Sequence, residues 1–332
     1  MNRSQNDQQG YVLMVVIALL ALVVTALASL SSISLRQALA ASDAQTRLQI
    51  RLGALSLEQA VLPRVGHYYD DLQKQWEKQG SEGADSVTLG APVRSVVVFG
   101  GVTYDLLFAD EDAKLNLNRL YHVGQVQRVN ESLQSVLPPP ALSAVRVIPA
   151  LPSATWKAFE ARDDDARPGR DAGEESLDDL DKQITASMVV PNAMASWGQV
   201  FDLPTLAQRF DSGAALPNVT QQISLWSGGA VNLRRAPDAV ILAAARCVLS
   251  QSDADQLLDR YHENPTIGVE ILVNGQTESK TERERLLKLL GQSSSSFSLW
   301  VDAKAEGQPR QRWFAVMLQD EEGTSQIERW AF

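Results

Sequence analysis

The chain has 332 residues and 45% apolar side chains, room for about two ordinary domains and a sizeable core. Its formal net charge of −10 argues against a nucleic-acid partner, because neutralised phosphates supply most of the non-specific affinity in such complexes. The single cysteine, Cys247, excludes an intrachain disulfide and leaves the redox compartment unread. Its setting, ILAAARCVL, reads as a buried helix face.

The first element is apolar. Residues 10–30 read GYVLMVVIALLALVVTALASL, and no charge falls between Tyr11 and Ser34. Crossing the hydrocarbon core takes roughly 20 apolar residues, which Tyr11–Leu30 supplies. A secretory signal peptide would have a basic leader and an apolar core of about 7–15 residues. Here the run is longer and the leader has only Arg3 against Asp7, although Ala26 and Ala28 imitate a cleavage site. A plain single-pass anchor explains the length but not the glycine that abuts the run.

Beyond the apolar run, Ala41, Ala44, Leu48, Leu52, Leu55 and Leu62 recur at helical spacing, which predicts an amphipathic helix packed on its own domain. Pro63 and Gly66 predict its end. A helix over 11–62 would be about 78 Å long, too long for a membrane alone. A separate short helix is expected over 68–80, closed by Gly80.

Then the period changes. SVVVFG (95–100) and VTYDLLF (102–108) read as a hairpin around Gly100–Gly101. FSLWVDAKA (297–305), RWFAVMLQD (312–320) and SQIERWAF (325–332) read as three closing strands. Tyr104, Trp300, Trp313, Phe314 and Trp330 suit half-buried sheet positions, with core packing as their role. The stretch between, 110–291, reads as mainly helical: Leu203–Phe210, Asp238–Leu249, Ser252–Tyr261 capped by Ser252 or Asp253, and ERERLLKLLG (282–291). Within it, 161–182 is acidic and poor in large apolar residues, the composition of a mobile loop. The expected fold is α+β. A long N-terminal helix (11–62) packs on an antiparallel sheet (63–109 and 292–332), and a large helical insertion (110–291) interrupts that sheet. The insertion's ends should meet, because the strands flanking it share one sheet.

Two internal segments echo each other. EDAKLNLNRL (111–120) carries Leu115–Asn116–Leu117, with Asn118 following, and GGAVNLRRAPDAVILAAA (228–245) carries Val231–Asn232–Leu233. Each reads as an extended stub leading into a helix; in the second, Pro237 falls in the first helical turn and Asp238 near the positive dipole end. Asn232 is suited to bonding local backbone, as turn asparagines are.

The junction Gly10–Tyr11 resembles a prepilin-type processing site, in which cleavage follows the glycine and the apolar helix is retained. The second Asn segment resembles the VNVNTAP-x-x-VL element of K-type minor pseudopilins of type II secretion, with Arg234 and Arg235 where Asn-Thr is usual. The first resembles that family's D-x-x-G-K-x-N-L-N-x-L element, with Ala113 in place of Gly. The closing WFAVMLQD and IERW resemble its final strands. Most pilin-like chains carry Glu at the fifth mature position; here it is Val15, and K-type subunits characteristically lack that acid.

The resemblance implies several things together. The leader (1–10) would be removed by a prepilin peptidase, leaving Tyr11 as the methylated N-terminus. The anchor would sit in the bacterial inner membrane with the globular part in the periplasm. Val15, Leu48, Leu52 and Leu55 would lie on an assembly helix. The partners would be I- and J-type-like minor pseudopilins at the tip of a pseudopilus that exports folded proteins. The alternative is an unprocessed single-pass binding or sensor module in the periplasm.

No catalytic constellation stands out, and no enzyme is expected. His67, His122 and His262 lack metal-ligand spacing, and G-x-S-x-G, G-x-G-x-x-G and P-loop patterns are absent. A membrane-anchored hydrolase therefore has no residues to argue from. The Asn elements also resemble helix-hairpin-helix DNA binders, a reading opposed by the charge and by the missing glycine hairpin after Ala245. No cofactor is expected. Calcium is compatible with the resemblance, and Asp163, Asp164, Asp165, Asp178, Asp179 and Asp181 offer hard oxygen ligands. No EF-hand spacing is present, a solvated loop is the simpler reading, and no ligand is assigned.

Overall fold

The computed structural model describes residues 4–79, 89–123, 126–145, 194, 196–209, 215–228, 230–319 and 325–331. The acidic segment 161–182 and its aspartates lie outside the described residues.

Helix α1 runs unbroken from Ser4–Gln79, about 114 Å at 1.5 Å per residue. It begins ahead of Gly10 and passes through Pro63 and Gly66, which overturns the expected stop at residue 62 and the separate helix over 68–80. The physical reason is burial. Pro63 is exposed, while Leu62, Val65 and Tyr69 are buried against the sheet. An interior proline costs a helix about 3 kcal/mol, and each such buried side chain returns about 1.5–3 kcal/mol.

The expected packing stripe also differs. Ile50, Ala54, Glu58, Leu62, Val65 and Tyr69 face the sheet. Leu48 is 56% exposed and Leu52 54%, Leu55 is half-buried, and Ala41 and Ala44 face outward. Close approach chose the face. The Tyr104 hydroxyl lies 2.0 Å from where a Cβ on Gly53 would stand, so the helix beds down on its thinnest side.

Strands β1 (Val93–Phe99) and β2 (Val102–Asp110) form the expected hairpin. Its turn residues Gly100 and Gly101 have φ of +60° and +77°, as a two-residue hairpin turn requires. The insertion follows, with β3 (Leu115–Asn116), α2 (Leu117–Val123), α3 (Val126–Val136) and α4 (Pro139–Leu142). Next come α5 (Trp197–Val200), α6 (Leu203–Arg209), α7 (Ala215–Val219), β4 (Ile223–Ser224) and β5 (Val231–Asn232). It closes with α8 (Asp238–Arg246), α9 (Gln251–Glu263), α10 (Val269–Asn274), α11 (Lys280–Leu289) and β6 (Leu290–Gly291). Ser250, not Ser252 or Asp253, caps α9, its side chain accepting from Asp253 N–H at 3.3 Å. Strands β7 (Ser296–Lys304), β8 (Gln311–Gln319) and β9 (Ser325–Ala331) complete the chain.

The main sheet is antiparallel in the order β1-β2-β7-β8-β9. Asp110 stands opposite Phe297, so the insertion leaves and re-enters between neighbouring strands. Alternation divides the strands between two cores. Tyr104, Leu106, Phe297, Leu299 and Val301 face α1, while Trp300, Phe314 and Val316 pack with the helices of the insertion in one continuous core. The fold is α+β in three layers: α1, sheet, helical layer. Cys247 is buried in the helical layer.

Candidate functional site

Two features stand apart from ordinary packing. The first is a buried polar junction where the insertion meets the sheet. Asp110, Glu111 and Asp112 follow directly from β2, and all three are buried. Each carboxylate holds a different part of the chain. Asp110 accepts from Arg235 Nη1 at 3.0 Å, from Ser294 Oγ at 2.6 Å and from the Asp112 N–H at 2.9 Å. Glu111 is paired with Lys114 and accepts from Ser224 Oγ and Ser298 Oγ. Asp112 accepts from three amides, Gly228 at 2.6 Å, Ser295 at 2.6 Å and Ser296 at 3.0 Å.

Arg235 is the cation of this junction. It is 4% exposed, bonds Asp70 on α1 at 2.5 Å as well as Asp110, and lies 5.8 Å from the Tyr69 ring. One guanidinium thus ties α1, β2 and the segment after β5. Tyr69 donates to the carbonyl of Ala91 at 3.0 Å. Burial, reinforced by the Asp110 carboxylate, pushes its phenol well above the ordinary range. Burial likewise raises Asp110. Burial, with Asp110 beside it, lifts Asp112 to about 7, while its three amide donors pull back toward the ionised form.

The two Asn segments flank this junction. Each forms a two-residue parallel strand pair, β3 with β4 and β5 with β6. Asn116 donates to Ser227 O at 3.0 Å and accepts from Arg119 N–H at 2.9 Å. Asn118 donates to the carbonyls of Met194 and Leu225, both at 3.0 Å. Asn232 donates to Ser294 Oγ at 2.8 Å and accepts from Arg234 N–H at 3.1 Å. Pro237 stands one residue ahead of α8 as its N-cap rather than inside its first turn. The structure brings Asn116, Asn118 and Asn232 around the junction as staples between distant segments. Sequence reasoning missed the acids themselves and Arg235. Their signal was three consecutive acids closing an apolar strand.

The second feature is the outer side of α1. Every described side chain from Leu13 through Ser42 is exposed, and the mean hydropathy of its most apolar window is 2.9, so this helix is long and apolar enough to cross a membrane. Val15 lies in that stretch, exposed among apolar neighbours. Gly10 and Tyr11 lie in the first turns of the helix, and the Tyr11 side chain is outside what the structure describes. Past the span Leu35, Leu39, Leu48 and Leu52 are also exposed, Leu48 and Leu52 lying together on one side of the helix. Among the described residues, no group of three or more His, Cys, Asp or Glu is arranged to hold a metal ion.

No family model matches the chain, and no curated protein matches it. Among solved structures it is similar to a chain of the GspK-GspI-GspJ complex from the type 2 secretion system of enterotoxigenic Escherichia coli. The identity is 13%, the match covers 87% of this chain and 99% of that one, and the TM-score is 0.39.

Proposed function

We propose that the chain is a structural, non-catalytic minor pseudopilin of K type, placed at the tip of a type II secretion pseudopilus. One observation carries the reading. A single helix is apolar and exposed on all sides over Leu13–Leu30, then packs one face on an antiparallel sheet while keeping a second apolar face, Leu48–Leu52, uncovered. A plain anchor needs the first part only. The uncovered leucines fit a helix that packs against other helices of its kind, as apolar residues at spacings of three and four do. The Gly10–Tyr11 junction and the two Asn elements support the subtype, and Val15 fits a terminal subunit, since an intramembrane carboxylate needs a partner charge and this chain offers none there.

In this reading the prepilin peptidase cuts after Gly10, the helix from Tyr11 sits in the inner membrane, and the sheet with its helical insertion stands in the periplasm beside I- and J-type-like subunits. N-terminal sequencing of the mature protein tests the processing: a chain beginning at Tyr11 is expected, and one beginning at Met1 or after Ala28 overturns it. Replacing Gly10 by a bulky residue should leave the precursor uncut.

A further inference from the structure

Helix α1 leaves part of the sheet open. Between its Arg51–Leu55 side and strands β8 and β9 lies a cavity of about 560 Å³, within the size range of ligand sites. Its floor is apolar, with Leu299, Val301, Ala315 and the half-buried Trp313. Its mouth is cationic. Arg47 and Arg51 stand on the helix side and Arg329 on the strand side. Arg329 is already bonded to the buried Glu58 at 2.6 Å, and Arg47 to Asp43 at 3.0 Å. Arg51 has no side-chain partner among the described residues. An unpaired guanidinium over an apolar floor, in a chain of net charge −10, is a local inversion of the molecule's electrostatics.

The cavity opens beside the uncovered leucines. Leu48, Leu52 and Leu55 follow one another at steps of four and three along α1, and Leu55 also lines the cavity. An occupant that covers this seam and reaches Arg51 must be elongated, apolar along one side and acidic at one point. A lipid headgroup is a poorer fit. Arg51 lies fifteen residues beyond Arg36, the first charge after the span, about 22 Å along the helix axis. The headgroup zone is only about 5–8 Å deep on each side of the hydrocarbon.

We propose that this groove receives an amphipathic helix of a partner subunit, whose apolar side covers Leu48, Leu52 and Trp313 and whose carboxylate pairs with Arg51. The proposal rests on the assembly reading above and adds to it the place and charge of the contact. The carboxylate gains a guanidinium that the docked helix itself shields from water, where such pairs are stronger than on an open surface.

The test uses the full-length chain in its native membranes, with a benzophenone photocrosslinker placed at position 313 or, separately, at position 48. The expected adduct from 313 maps to a helical segment of another pilin-like subunit that carries an Asp or Glu. Arg51→Glu should lower its yield at least tenfold, Arg51→Lys should lower it less, and replacing the mapped acid by Arg should restore it in the Arg51→Glu background. Arg51 is exposed, so an unchanged melting curve for each variant verifies folding. An adduct to lipid, to a second copy of this chain or to a non-helical segment overturns the proposal, as does a yield indifferent to Arg51. Adducts to a pilin-like subunit from position 48 but none from 313 sink the groove and leave the assembly reading standing. Silence at both positions sinks both.

Discussion

The two faces of the sheet are finished differently. On one, the insertion lays down a closed aromatic packing. Trp226 lies 5.2 Å from Trp197, 4.9 Å from Phe314 and 4.5 Å from Trp330, ring centre to ring centre, and Trp300 lies 4.4 Å from Phe314. On the other, a single helix lies across β2, β7 and β8. A helix with its side chains is about 10–12 Å wide, whereas five strands at about 4.8 Å spacing span about 19 Å. One helix cannot cover such a sheet, and the cavity beside β9 is what remains. The insertion's face is closed by its own side chains, and the α1 face keeps apolar surface uncovered.

The largest effects should come from the junction that locks both faces together. Arg235→Ala would leave Asp110, fully buried, without its cation, at a cost of about 3–5 kcal/mol, read by thermal or denaturant unfolding of the full chain in detergent. A loss under about 1 kcal/mol would show that the serine and amide donors suffice. Next, Trp226→Ala on the closed face should cost about 3–5 kcal/mol, and Trp313→Ala on the open face well under half of that. Equal costs would erase the contrast between the faces.

Gly53→Ala should destabilise by about 1–3 kcal/mol, because its Cβ would collide with Tyr104. Combined with Tyr104→Leu, the two costs should be less than additive. Asp112 supplies a pH-dependent term. Its folded pKa of about 7 lies above the usual 3.8, so between those values the folded state holds a proton that the unfolded state has released. Stability is therefore greatest below about pH 4 for this group and falls as pH rises through 7, by at most about 1.4 kcal/mol per pH unit. Asp112→Asn should flatten that slope; an unchanged slope would place the titration elsewhere. The smallest effect on stability is expected from Leu48→Ser with Leu52→Ser, within about 0.5 kcal/mol, since both side chains already face solvent in the isolated chain. Their effect should appear instead as lost crosslinks to partner helices.

The five main strands were legible because their signals are local. Period-two alternation and the Gly100–Gly101 turn place β1 and β2 within two residues of where they lie, and the aromatic runs do the same for β7, β8 and β9. The Asn stubs were equally local, each a short strand turning into a helix. The packing face of α1 was not. The helix carries apolar residues on two sides, at Ile50, Ala54 and Leu62 and again at Leu48, Leu52 and Leu55, so periodicity alone selects neither. Nor was the acidic junction legible, because a run of three acids is cheap in water and becomes a buried network only when Arg235, Ser294 and Ser298 arrive from far along the chain.

By itself the sequence determined the α+β class, the apolar span, the hairpin and the closing strands, because short-range sterics and hydrophobic period act within a few residues. Tertiary structure alone decided which side of α1 meets the sheet, that Pro63 would be carried through an unbroken helix, and that Asp110, Glu111 and Asp112 would be buried. Those outcomes depend on close approach, on burial summed over many contacts and on charges paired across long separations, and none of these is written at any one stretch of the chain.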